Sequence, residues 1–168
     1  MTASRLTEEN DPGTPGVIAR PPLLLLGALL LGFGLDHLVP LPRPIPGTGL
    51  VHTISAIIAG ALILVGFSVF AASIRNFSRA GTPVQGTRPT RTLVTSGMYR
   101  WTRNPIYLAM LFFLVGIGIA VRSPWIFLLA VPLAVTFRYG VIAREEAYLD
   151  RLFGDAYRDY KAHVRRWL

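Results

Sequence analysis

Long apolar blocks alternate with short proline-rich breaks along this chain. The first block opens after Pro21-Pro22 and is closed by Pro40, Pro42, Pro44 and Pro46, each of which removes an N–H donor that a continuing helix would need. A transmembrane helix over residues 23–39 is predicted. A second block predicts a span over 51–74, with Gly60 and Gly66 suited to close helix packing. Pro105 opens a third over 105–121, and Arg122-Ser123-Pro124 leaves room only for a tight turn into a fourth over 125–143. The third span barely crosses, since seventeen or so residues at 1.5 Å each reach roughly 25 Å.

Polar positions organise the rest. Residues 1–20 are mixed in charge and broken by Pro12, Gly13, Pro15 and Gly16, which predicts a disordered lead-in, and residues 21–168 then form one domain. Beyond the fourth block, Leu149, Leu152, Phe153, Ala156, Tyr160 and Val164 recur at helical spacing. This predicts an amphipathic tail over 144–168, interrupted at Gly154 and restarted with Asp155 as cap, lying along the membrane surface. The fold class is therefore all-α: a polytopic membrane protein with about four spans, one polar loop and a C-terminal amphipathic helix.

Composition strengthens that reading. A chain of 168 residues that is 52% hydrophobic and 15% charged is too apolar for a soluble domain of its size. The net charge of +8 sits mainly on arginines, and Arg75, Arg79, Arg88, Arg91, Arg100 and Arg103 fall in one inter-span segment without an acidic residue. That segment belongs in the cytoplasm, and four spans place both termini there too. Basic clusters beside spans meet anionic lipid, so nucleic acid is not the expected partner. Arginine-rich, lysine-poor usage points to a prokaryotic plasma membrane. Cysteine is absent, which excludes disulfides and thiolate chemistry, and His37, His52 and His163 have no metal-ligand spacing.

Three groups of residues could carry chemistry. Arg103 stands in non-helical backbone ahead of Pro105 and can face lipid phosphate or a buried anion. Glu145-Glu146 lie just past the fourth block, where a cationic ligand or an ordinary interfacial network with Arg138 and Arg144 accounts for them, the network being the simpler account from periodicity alone. Arg138 itself should snorkel or pair. Gly116-Ile117-Gly118 strips side chains from one patch of the third helix, which suits helix packing or a ligand's approach.

Taken together, Arg103-Asn104-Pro105-Ile106-Tyr107, the helix with Gly116 and Gly118, and Glu145-Glu146 followed by Leu149, Phe153-Gly154, Tyr157, Tyr160, Val164 and Arg166 resemble the isoprenylcysteine carboxyl methyltransferase family. That superfamily is also similar to phospholipid N-methyltransferases and methanethiol S-methyltransferases. The resemblance covers roughly residues 96–166.

It implies a membrane-embedded transferase that takes its methyl group from S-adenosylmethionine and releases S-adenosylhomocysteine. Carried over by position, it assigns catalytic roles to Arg103 and Tyr107 and cofactor contacts to Asn104, Pro105, Tyr107, Gly116, Gly118, Glu145, Glu146 and Tyr157, with no metal. The acceptor would be a lipophilic or small molecule at the cytoplasmic face. Asn104 stands where the family has histidine, which removes a group that titrates near neutrality. An acceptor already ionised at pH 7, a carboxylate or small thiol, is thereby favoured over a lipid amine that must first lose a proton. A phospholipid N-methyltransferase and a non-catalytic scaffold of the same fold are the alternatives. Oligomeric state is not legible.

Overall fold

The computed structural model describes residues 16–84 and 91–168. Among the described residues there are six α-helices: α1 (Pro21–Leu38), α2 (Gly49–Arg79), α3 (Pro105–Ala120), α4 (Pro124–Thr136), α5 (Ala143–Phe153) and α6 (Asp155–His163). A 3-10 turn spans Gly97–Arg100, and a π-helical segment, Phe137–Ile142, joins α4 to α5 without a break. No strand occurs among the described residues.

Prolines begin three of the helices, α1, α3 and α4, at N1 or N2, where the missing N–H is not needed. Ser123 adds a cap to α4 by accepting from the Ile126 N–H at 3.0 Å. Among the described residues, three stretches are long and apolar enough to cross a membrane: Pro21–Leu38, Gly49–Arg79 and Pro124–Phe153. The expected fourth span is not reached by length. At 16 residues, α3 extends roughly 24 Å against a hydrocarbon core of about 30 Å.

Instead, α3 is the central helix, and its longest interface is with α2. Glycines make that interface close. A side chain at Gly66 would meet the Ala109 carbonyl at 3.1 Å, and one at Gly116 would meet the Ala59 carbonyl at 3.2 Å. The main core lies between α3, α4 and the π segment, with Leu114, Ile126, Phe137, Val141 and Ile142 fully buried.

Several boundaries depart from the sequence-based expectation. α2 runs five residues past the apolar block, to Arg79. Gly154, with φ of 52°, caps α6, and Asp155 sits in its first turn instead of capping it, paired with Arg158 at 2.9 Å. The helix ends at His163, after which Val164 is extended. Residues 1–15 of the expected lead-in and 85–90 of the loop, Arg88 among them, lie outside the described residues. Residues 16–20 are tied down: the Ile18 N–H donates to the Gly140 carbonyl at 3.4 Å, and Arg144 donates to the Gly16 carbonyl at 2.8 Å.

Candidate functional site

The segment before α3 is shaped by Gly97, whose φ of 61° suits only glycine and whose Cα packs against the Asn76 side chain. Asn76 also donates to the Ser96 carbonyl at 3.2 Å. This fixes the following turn so that Tyr99 is buried edge-on against Phe77, ring centroids 5.3 Å apart, while Trp101 stays exposed. Pro105 then starts α3, and Tyr107, two residues along, is buried within its first turn.

From the other side, the π segment carries α5 into the core. The Tyr107 hydroxyl donates to Glu145 Oε1 at 2.7 Å, and Glu145 is only 2% exposed. Tyr107 also packs on Phe137 at 5.2 Å between centroids. Glu146 takes a different set of partners. Arg103 reaches it at 3.1 Å, and Arg166 makes a two-pronged pair, Nε to Oε1 at 2.9 Å and Nη2 to Oε2 at 2.6 Å. Paired with Glu146, the Arg166 guanidinium has its pKa raised.

The C-terminal residues form a strap over this cluster. The Arg103 N–H donates to the Arg165 carbonyl at 3.0 Å, and the Arg166 carbonyl accepts from Asn104 Nδ2 at 2.9 Å and from Thr102 Oγ1 at 3.2 Å. Tyr160 donates to the Tyr99 carbonyl at 2.7 Å. Burial pushes the Tyr99, Tyr157 and Tyr160 phenols well above the ordinary range, with nearby carboxylates adding to the effect on Tyr99 and Tyr157.

Two cavities meet at Tyr99, Arg103 and Asn104. One is a polar chamber of about 10 Å³, room for about one water, bounded by Glu145, Glu146, Tyr157 and Tyr160. The other is an apolar cavity of about 460 Å³ between α1, α2 and α3, lined by Phe70, Ile74, Ile106 and Met110 and edged by Arg20. Three buried polar atoms at this junction have no hydrogen-bond partner: Arg103 Nε, Arg103 Nη1 and Glu145 Oε2. Such atoms cost free energy unless something binds them.

Of the sequence-derived candidates, Arg103, Asn104, Pro105, Tyr107, Glu145, Glu146 and Tyr157 are gathered here. Gly116 and Gly118 are not. Gly116 faces Ile63 and Ala59 of α2, and Gly118 faces Ile126 and Phe127, so in this structure both serve helix contacts away from the cluster. The network expected between the glutamates and Arg138 or Arg144 is replaced by Arg103 and Arg166, because Arg144 turns to Gly16 and Arg138 lies against Tyr139, 5.3 Å from its ring centroid. Sequence reasoning did not count Arg166, Tyr99 or Thr102 among site residues. The signal for Arg166 was its place in the motif that begins at Glu145-Glu146, which carried the resemblance without assigning it a role.

A helical membrane protein with ion pairs folded over a buried junction of one polar and one apolar cavity is the class these features define. The chain belongs to the phospholipid methyltransferase family, whose model matches residues 54–156. It is 36% identical over 78 residues to the mouse protein-S-isoprenylcysteine O-methyltransferase, a match covering 45% of this chain and 26% of that protein. The human protein of that name is 35% identical over 78 residues. An uncharacterized protein of Haemophilus influenzae is 70% identical over 27 residues, 16% of this chain and 43% of that one. The chain thus spans about a quarter of the length of the mammalian relatives, 26% in each case.

Proposed function

We propose that the chain transfers a methyl group from S-adenosylmethionine to a membrane-partitioning acceptor at the face that carries the arginine-rich segment. The observation that supports this most is the set of unpartnered buried atoms, two nitrogens of Arg103 and one oxygen of Glu145, on residues that line the same polar chamber. They fit the two charged ends of an amino acid, a carboxylate for Arg103 and an ammonium for Glu145. Of the paired glutamates, Glu145 is the free one, since Glu146 is already held by two arginines. When bound, S-adenosylmethionine supplies an electrophilic methyl on a sulfonium.

The protein's contribution is to bind, orient and exclude water. Tyr107 holds Glu145 in place, Glu146 holds Arg103, and Tyr157 and Tyr160 wall the chamber. A ligand of cofactor size needs the strap over the polar chamber to move aside. Asn104 is spent on the strap's carbonyl and offers no titratable group. The apolar cavity is edged by Arg20 and Arg103 with no acidic lining residue, which suits an acceptor with an apolar body and an anionic head. A prenylated or small carboxylate, or a thiolate, meets that description. By the positive-inside rule this face is cytoplasmic, in a prokaryotic plasma membrane.

Membranes carrying the protein, given methyl-labelled S-adenosylmethionine and matched prenylcysteine, phospholipid and small-thiol acceptors, test the reading. Label is expected in the carboxylate or thiol acceptors and lost in Arg103→Met. Label only in the phospholipid amine would overturn the acceptor assignment. Absence of label in every acceptor would overturn the activity.

A further inference from the structure

On the other side of α3 from the apolar cavity lies a groove of about 400 Å³ between α3 and α4, lined by Leu111, Val115, Val131 and Val135 and ended by Arg138 and Trp167. Arg138 is the sole charged residue in the first twenty positions of the Pro124–Phe153 stretch. It makes no ion pair with any described carboxylate. A guanidinium at a lipid-facing position needs an anion, and an apolar channel leading away from it needs hydrocarbon.

We propose that this groove is a binding site for an anionic phospholipid, with the phosphate on Arg138 and an acyl chain along α3 and α4. Charge decides the occupant. A zwitterionic lipid brings its own cation to the same spot, whereas an anionic one does not, and a guanidinium grips phosphate through paired N–H donors. The groove lies apart from the junction at Arg103, and the proposal stands whether or not the chain transfers methyl groups. It also has a structural consequence. Trp167 packs against the main core beside the groove, next to Arg166, which holds Glu146 and closes the polar chamber. A lipid seated there braces the strap.

Native mass spectrometry of the full chain, released from micelles with equimolar phosphatidylglycerol and phosphatidylcholine of identical chains, tests this. Retention of phosphatidylglycerol about fivefold above phosphatidylcholine is expected from one lipid-facing cation. Arg138→Gln should bring the ratio to about one, with Arg138→Lys keeping most of the preference. Arg122→Gln, at the tight turn before α4, should leave it unchanged. A ratio of one in the unaltered protein, or a preference that survives Arg138→Gln or vanishes with Arg122→Gln, overturns the site. A second reading needs no change at Arg138. In Trp101→Phe/Trp125→Phe protein the remaining Trp167 should be quenched more by phosphatidylglycerol brominated on its chains than by the matching phosphatidylcholine, and equal quenching overturns the proposal.

Discussion

Glu145 and Glu146 are neighbours in sequence with opposite situations. Glu146 accepts from two guanidinium groups, while Glu145 has one tyrosine donor and one bare oxygen in a nearly closed environment. Their substitutions should therefore separate. Tyr107→Phe removes the single donor to Glu145 and leaves a buried carboxyl unsatisfied, a loss of about 1–3 kcal/mol, seen as a lower thermal midpoint in detergent. Arg166→Gln should act on the strap. Hydrogen exchange at residues 164–167 is expected to quicken several-fold, and unaltered protection there would contradict the strap's dependence on the Glu146 pair. Neither pairing was legible beforehand, although Arg103 and Arg166 both stand in the motif. A carboxylate's nearest cation is set by how elements cross, and Arg103 and Arg166 are each remote from Glu146 in sequence, whereas the nearby Arg138 and Arg144 are turned elsewhere.

At the scale of elements, the helices were largely readable because apolar blocks and prolines mark them. Pro21, Pro105 and Pro124 start helices where the missing N–H costs nothing. The π segment was not readable. Phe137–Ile142 lies inside an apolar run, and its one irregular residue, Gly140, could as well sit in an ordinary helix. Yet this segment sets the register of the site, since the extra residue rotates everything after it by roughly 100° relative to a continuous α-helix. Deleting Gly140 removes that extra residue, so the segment should convert to α-helix with Glu145 still facing Tyr107. Helical content by circular dichroism and ligand binding at the junction should both persist, and loss of binding in well-folded protein would contradict this account of the register. Gly97→Ala should be costly for a separate reason, because its positive φ and the Asn76 side chain both oppose a Cβ.

Across the whole molecule, α1, α2 and the continuous Pro124–Phe153 stretch pack around the 16-residue α3, and the polar chemistry collects at the end of α3 where Pro105 begins it. The class of fold and this concentration were visible in the sequence. The sequence also predicted a fourth crossing, over 105–121, which the 16 residues of α3 do not reach by length, because hydropathy alone does not distinguish a helix surrounded by lipid from one surrounded by helices. Tyr99, Tyr157 and Tyr160 tie the 3-10 turn and the tail to this end, and burial holds their folded-state pKa values above that of an unfolded tyrosine. Their contribution is therefore complete below about pH 10 and declines above it, as the unfolded chain ionises and the folded one does not. The thermal midpoint should fall between about pH 9 and 11, and tyrosinate absorbance at the ordinary alkaline midpoint in still-folded protein would contradict the burial. The proposed methyl-donor site centres on the Arg103–Glu145 junction. Calorimetric titration of the purified full chain with S-adenosylmethionine tests that most directly. The prediction is saturable binding that weakens about tenfold or more in both Glu145→Gln and Arg103→Met, each of which removes a charge-assisted contact. Folded protein that binds no S-adenosylmethionine, or binds it equally well with both residues replaced, would contradict it.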